Sequence, residues 1–452
     1  MKSPWILALS CVCMGAVARS EDLLGIYQQA LTADPLMQQA TATHLAAAET
    51  KTQALIGLLP IDLTANKDWA AIGSTKINSP ANLSLALTAN LFSWDSWVNL
   101  KQANATVAQA EANYAAAEQS LIQRVAQYYF AVLYAQDTLA AQQSALESLD
   151  RQLEQAERRF EVGLIAITDV QTTRAQRDSQ SAAVIAAKRS LASAQEQLRT
   201  ITNEPYPVLA GPGDDMPLLT PDPASEDKWV TTALDQNASL IASRMSAEIA
   251  RDSLLTAYGG YVPSVTVSAS RAWALEHGNF GTSENITGGV GTTLLGATTN
   301  TTDIIWQVGI SVPIFDGGST PSKVRQARYN WHAAQSGLEY TSRQTQFQAR
   351  DAYQGVISQI AQVQALKQAV ESNSVSLEAT QAGYDVGTKT VLDVLTARAS
   401  LVQAQTSYAQ AKYTYLNDIV ALRLAAGNLD RATVVQINGW LKEPAPAAPP
   451  PP

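Results

Sequence analysis

From residue 121 onward, apolar side chains recur in a strict 4-3 rhythm. Leu121, Val125, Tyr128, Val132, Ala135 and Leu139 lead to one polar interruption at Gln142, followed by Leu146, Leu149, Leu153, Ala156 and Phe160. A heptad sustained over this length is the seam of a coiled coil. No Pro or Gly interrupts residues 97–160, so the pattern predicts one helix of about 95 Å at 1.5 Å per residue. Val162-Gly163 breaks it, and a second helix is expected over 167–201. The rhythm returns at Val356, Val363, Leu366, Val370, Leu377 and Tyr384. Ser319-Thr320-Pro321 offers a hydroxyl cap and a proline in the first turn. A helix from there to about 383, and a partner over 391–426, complete a second hairpin with Val-Gly at its loop.

Four other segments alternate with period two. In 82–91 the odd positions are Leu83, Leu85, Leu87, Ala89 and Leu91; in 304–314 the even ones are Ile304, Trp306, Val308, Ile310, Val312 and Ile314. Segments 61–69 and 261–275 alternate similarly, with Asp62, Thr64 and Asn66, or Ser264, Thr266, Ser268 and Ser270, on the polar side. Runs of about ten residues, apolar on one face and polar on the other, suit the strands of a membrane β-barrel. Trp69, Trp273 and Trp306 fall toward strand ends, where an aromatic girdle meets headgroups. Four strands cannot close a barrel, and an open edge in lipid leaves amides unpaired. Membrane-embedded strands therefore require several copies of the chain.

The plan occurs twice. The stretch Arg159-Phe160-Glu161-Val162-Gly163 through Thr168-Asp169-Val170 recurs, 224 residues on, as Gly383-Tyr384-Asp385-Val386-Gly387 through Leu392-Asp393-Val394. Arg174 and Arg398 keep the same offset, and Leu91-Phe92 matches Ile314-Phe315 upstream. A period of half the chain points to an internal duplication and not to a solenoid.

Composition narrows the function. A net charge of −9 argues against a nucleic-acid partner, which needs a basic face. The only two cysteines, Cys11 and Cys13, lie in an apolar N-terminal stretch that ends in Ala16-Val17-Ala18, the pattern of a secretory signal peptide. The exported chain then has no thiol for a disulfide or nucleophile, and its 3 histidines are scattered. No cofactor, metal site or catalytic set is expected, and the chain is read as a non-enzyme. Gly291 and Gly296 have phosphate-loop spacing, but Ala297 stands where that loop has its lysine, so a surface loop is expected.

With Tyr27-Gln28-Gln29-Ala30 and Tyr413-Thr414-Tyr415-Leu416-Asn417 added to the two repeated stretches, the chain resembles the TolC family of trimeric outer-membrane efflux and secretion channels over nearly its whole mature length. The resemblance implies a fold of mixed α and β class. Long antiparallel coiled-coil hairpins would form an α-barrel across the periplasm, and four strands per chain would enter a homotrimeric transmembrane β-barrel of twelve in outer-membrane lipid. It implies a passive duct in a Gram-negative bacterium, docked to a periplasmic adaptor (membrane fusion) protein and an inner-membrane pump of ABC or RND type, exporting drugs or proteins. The expected organisation is a signal peptide (1–18), a first repeat (19–201), an irregular equatorial segment (202–230), a second repeat (231–428), and an equatorial and Pro-rich disordered tail (429–452).

Carried over by motif, a periplasmic gate would be tied by Thr168 and Asp169 on one hairpin and by Tyr384 and Lys389 on the other. Asp393 would line the constriction as an acidic ring. The family usually has Arg where Lys389 stands, so the bidentate geometry of a guanidinium is lost; Thr396 stands where a second acid is expected. Val162-Gly163-Leu164 and Val386-Gly387-Thr388 would contact the adaptor. The alternative is a secreted or surface coiled-coil protein without a pore, which has no use for strands with an apolar face.

Overall fold

The computed structural model describes residues 22–57, 61–66, 69–72, 75–78, 82–206, 208–213, 216–274 and 304–442. The expected signal peptide, the 291–296 loop and the Pro-rich end of the tail lie outside these. In chain order the elements are α1 (Leu23–Ala33), α2 (Pro35–Ile56), β1 (Ile61–Asn66), β2 (Trp69–Ile72), β3 (Thr75–Asn78), β4 (Asn82–Phe92), α3 (Trp94–Glu161), α4 (Ile167–Thr202) and β5 (Gly211–Pro212). There follow α5 (Glu226–Gln236), α6 (Ala238–Tyr258), a 3-10 turn, β6 (Ser264–Ala274), β7 (Ile305–Ser311), α7 (Ser319–Asp385), α8 (Val391–Ala426), α9 (Arg431–Asn438) and β8 (Leu441–Lys442). The four long helices start and stop within a few residues of the bounds read from the heptads. The segment 202–230, read as irregular, contains β5 and the start of α5, and α9 lies in the stretch read as an equatorial and disordered tail.

The chain divides into two units. One comprises residues 1–42, 113–241 and 341–452 and holds most of the core. Ile26, Leu121, Tyr129, Phe130, Val132, Tyr415 and Leu416 are fully or almost fully buried together. Each such side chain withdrawn from water contributes about 1.5–3 kcal/mol. Asp22 caps α1 by accepting from the Gly25 amide at 2.7 Å, and its other oxygen accepts from Asn438 Nδ2 at 2.8 Å, tying α1 to α9. Arg124 forms an ion pair with the buried Asp34 at 2.6 Å. The landmark tyrosines acquire a structural reason: Tyr415 Oη accepts from the Leu219 amide at 2.7 Å, and Tyr413 Oη donates to Asp137 at 2.7 Å while its ring stacks on Phe130.

The buried seam of α3 keeps Leu149 and Ala156 of the heptad read from sequence and departs from it at other positions. Beyond Ala135 the buried positions are Ala145, Leu149, Gln152 and Ala156; Leu146 and Leu153 are half-buried and Phe160 is exposed.

The other unit comprises residues 43–112 and 242–340. Its sheet is antiparallel throughout, in the order β1-β4-β6-β7. The register aligns Leu87, Ala269 and Trp306 on one face, and Thr88, Ser268 and Gln307 on the other. Thr64 and Ser84 hydrogen-bond across the polar face at 2.5 Å. Ile61, Leu63, Trp306, Val308 and Ile310 are each about two-thirds exposed, Trp306 at 71%. The expected strand 61–69 is shorter: it ends at Asn66, and Trp69 instead opens the separate hairpin β2–β3. Within this unit Lys101 donates to Asp252 at 2.8 Å, joining α3 to α6.

Candidate functional site

The α3–α4 and α7–α8 loops reverse their helices by the same device. At the first, Gly163 N–H donates to Phe160 O at 2.8 Å and Leu164 N–H to Arg159 O at 2.9 Å; at the second, Gly387 N–H donates to Tyr384 O at 3.1 Å and Thr388 N–H to Gly383 O at 2.8 Å. This pair of bonds is the Schellman ending of a helix, and it needs a residue with positive φ at the turn. Gly163 and Gly387 supply it, with φ of 76° and 80°. Val162, Leu164 and Val386 stand out from the turns, each exposed by 69% or more. Thr388 is held by its hydroxyl donating to Gly383 O.

The helix starts beyond the loops differ. At α8, Thr390 and Asp393 form a capping box: the Asp393 carboxylate accepts from the Thr390 amide at 2.8 Å and its hydroxyl at 2.9 Å, while Thr390 Oγ1 accepts from the Asp393 amide at 3.2 Å. These bonds, the backbone one foremost, together with the charge of Lys389, hold the exposed Asp393 carboxyl below the usual carboxylate range. At α4 the N-cap is Ala166, which has no side chain to cap with; Asp169 only places a negative charge in the first turn, favourable to the helix dipole. Thr168 is exposed and Asp169 half-buried, and their carbonyls accept from the hydroxyls of Thr172 and Thr173.

Within one chain, Thr168 and Asp169 make no side-chain hydrogen bond or ion pair with Tyr384 or Lys389 among the described residues. Tyr384 is instead met by a residue that motif reasoning left without a role. The Arg159 guanidinium lies 5.2 Å from the Tyr384 ring centroid and reaches Asp385 at 3.8 Å. The ring also packs against Leu149, Val391 and Leu395. The repeat contains the signal for this tie: Arg159 in the first copy stands opposite Gly383 in the second, and Phe160 opposite Tyr384. Gly383 leaves room for Lys389, whose Cγ would lie 2.8 Å from a Cβ placed there. The first hairpin is strapped by Arg174–Glu157 at 2.7 Å and Arg177–Asp150 at 2.8 Å, pairs that stabilise little in water but fix register.

Among the described residues no three His, Cys, Asp or Glu side chains gather as a metal site, and no helix is long and apolar enough to cross a membrane.

The family model for outer membrane efflux proteins matches residues 26–204 and 229–428. The chain is 35% identical to outer membrane protein TolC of Vibrio cholerae over 445 residues, covering 97% of this chain and 98% of that protein. It is 33% identical to outer membrane protein TolC of Escherichia coli over 446 residues, covering 98% and 89%. Among solved structures, the outer membrane protein VceC of Vibrio cholerae has the same fold, with a TM-score of 0.72 at 20% identity over 90% of this chain and 97% of that one. A chain with two long hairpins, a four-stranded sheet with an exposed apolar face, and these relatives along its whole length belongs to the outer membrane efflux protein family.

Proposed function

We propose that three copies of the chain form a passive duct through the outer membrane, each giving four strands to one closed barrel and two hairpins to a periplasmic tunnel. The chain is an outer-membrane channel for efflux and secretion; the stoichiometry, the barrel and the duplication behind the two halves are the proposal. The observation that carries it is the sheet β1-β4-β6-β7, whose apolar side chains are exposed along one face and whose two edges have no partner among the described residues. Such a sheet is stable in lipid only when its edges are closed by further strands. A pore-free surface coiled coil would gain nothing from that face.

Energy and cargo selection then belong to partners. The exposed turns Val162-Gly163-Leu164 and Val386-Gly387-Thr388 are the contacts for a periplasmic adaptor, itself coupled to an inner-membrane pump of ABC or RND type. Thr168, Asp169, Tyr384 and Lys389 tie the closed end, with the missing pairings made between subunits, and Asp393 gives the constriction its charge. Three like carboxylates near one axis favour cations and exclude anions.

Planar-bilayer recording on the purified protein tests this. Discrete cation-selective openings, with a trimer by light scattering, are expected. Folded protein that neither assembles nor inserts would sink the reading.

A further inference from the structure

Arg174 and Arg398 occupy equivalent places in the two halves but meet different surroundings. Arg174 pairs with Glu157. Arg398, on α8, has its Nε buried and without a hydrogen-bond partner. Among the described residues no carboxylate pairs with it, and the charge acting on it is the like-signed Arg151; this and burial, the larger cause, depress its affinity for its proton. A guanidinium nevertheless stays charged in proteins, so the helix junction holds a cation without a counter-ion.

Arg398 opens onto a cavity of about 170 Å³ between α3, α4 and α8. Its polar wall is neutral: Gln142, Gln176, Gln180, Gln403 and Thr406. Gln180 is committed to Gln142, and Gln403 to Ser407. One turn along α3 from Leu149, which lines the cavity, Gln152 has both amide atoms buried and unpartnered. A water molecule occupies about 30 Å³ of liquid, so the space accepts a small polyatomic anion together with solvent. Planar or tetrahedral oxyanions present two acceptor oxygens to a guanidinium, the pairing in which arginine binds best.

We infer that this cavity is a binding site for a small oxyanion, a carboxylate or inorganic phosphate, held by Arg398 among glutamine amides. Leu149 and Leu395 line the cavity and also belong to the cluster that packs Tyr384. Occupancy therefore braces the first turns of α8. The site stands on the helix junction alone and does not depend on the channel reading.

The test is calorimetric titration of the full-length purified protein in detergent with sodium phosphate and, separately, sodium acetate, at ionic strength held constant with sodium chloride. Saturable binding of either anion, about one per chain and weakened at least tenfold in Arg398→Gln, is the expected result. Gln176→Glu places a carboxylate in the cavity and is expected to abolish binding while raising the thermal midpoint in phosphate- and acetate-free buffer. Heats that do not saturate with either anion, or equal affinity in wild type and Arg398→Gln, would overturn the proposal. Should Arg398→Gln fail to fold, undiminished affinity in Gln176→Glu overturns it instead.

Discussion

The capping box at the start of α8 gives Asp393 a second task, and a substitution series separates it from the charge the residue is proposed to place at the constriction. Thr390→Ala removes the hydroxyl that accepts from the Asp393 amide at 3.2 Å and donates to its carboxylate at 2.9 Å. Loss of a threonine N-cap costs about 1 kcal/mol, which corresponds to roughly a fivefold shift in a local opening equilibrium. Hydrogen exchange of the Asp393 and Val394 amides, the two bonded to Thr390, should accelerate by about that factor, with cation selectivity unchanged. Asp393→Ala should accelerate the same amides and also lose selectivity. Asp393→Asn keeps an oxygen that can accept from the Thr390 amide, so it should lose selectivity with much less change in exchange. The carboxyl is held below its ordinary range by these bonds. Its contribution is therefore complete above about pH 4 and lost only as pH falls through the lowered value. Unchanged exchange at Asp393 and Val394 in Thr390→Ala would refute the box as the anchor of α8. Accelerated exchange in Asp393→Asn equal to that in Asp393→Ala would show that charge, and not geometry, holds the turn.

Three further outcomes are expected. Tyr415→Phe leaves the Leu219 amide without its acceptor and should destabilise by about 1–3 kcal/mol, read as a lower denaturant midpoint with unchanged slope. Burial, and after it the charge of Asp351, pushes the Asp418 carboxyl up to about 6. The native state thus keeps this proton to higher pH than the unfolded chain, and stability falls as pH rises from about 4 through about 6. Discounted for partial exposure, the difference between pH 5 and pH 7.5 is about 1 kcal/mol, and it should vanish in Asp418→Asn on chemical denaturation at the two pH values. Arg159→Ala frees Tyr384 and Asp385 on the neighbouring helix end; the channel should open more often in bilayer recordings, and an unchanged open probability would remove Arg159 from the gate.

The long helices were legible because their signal is redundant: a seam of twelve positions in the first hairpin and six matching ones in the second, no internal Gly or Pro in α3, and a Val-Gly ending that appears twice. The sheet was legible in face and approximate extent, since period-two alternation marks which side chains share a side. Its second hairpin was not, because Trp69 fits equally as the last residue of one strand or the first of the next, and only pairing with Asn78 decides it. Beyond Ala135 the heptad includes Leu149 and Ala156, which are buried, but misses Ala145 and Gln152, because an apolar pattern gives alanine little weight and glutamine none. At the loops, the motif located Asp393 and Lys389 but did not reveal that Asp393 is engaged with Thr390. Spacing of three residues between Thr390 and Asp393 with an apolar run behind it was the available sign.

The two halves share one turn geometry and differ around it. Both loops end their first helix with the same two backbone bonds and a left-handed glycine. Around that constant, α8 begins with a side-chain box and α4 with an alanine. Arg159 occupies one helix end, while the equivalent position on the other is Gly383, beside an aromatic ring and an acid. The difference sets a cation on the first hairpin beside an aromatic ring and a carboxylate on the second, so one chain can hold its own loops together. The tie is nevertheless an exposed ion pair and a cation–ring contact, each contributing about 1 kcal/mol or less. An interaction that weak holds a resting arrangement but yields to a docking partner whose own contacts are only modestly stronger, which is what the proposed gate would require of an adaptor.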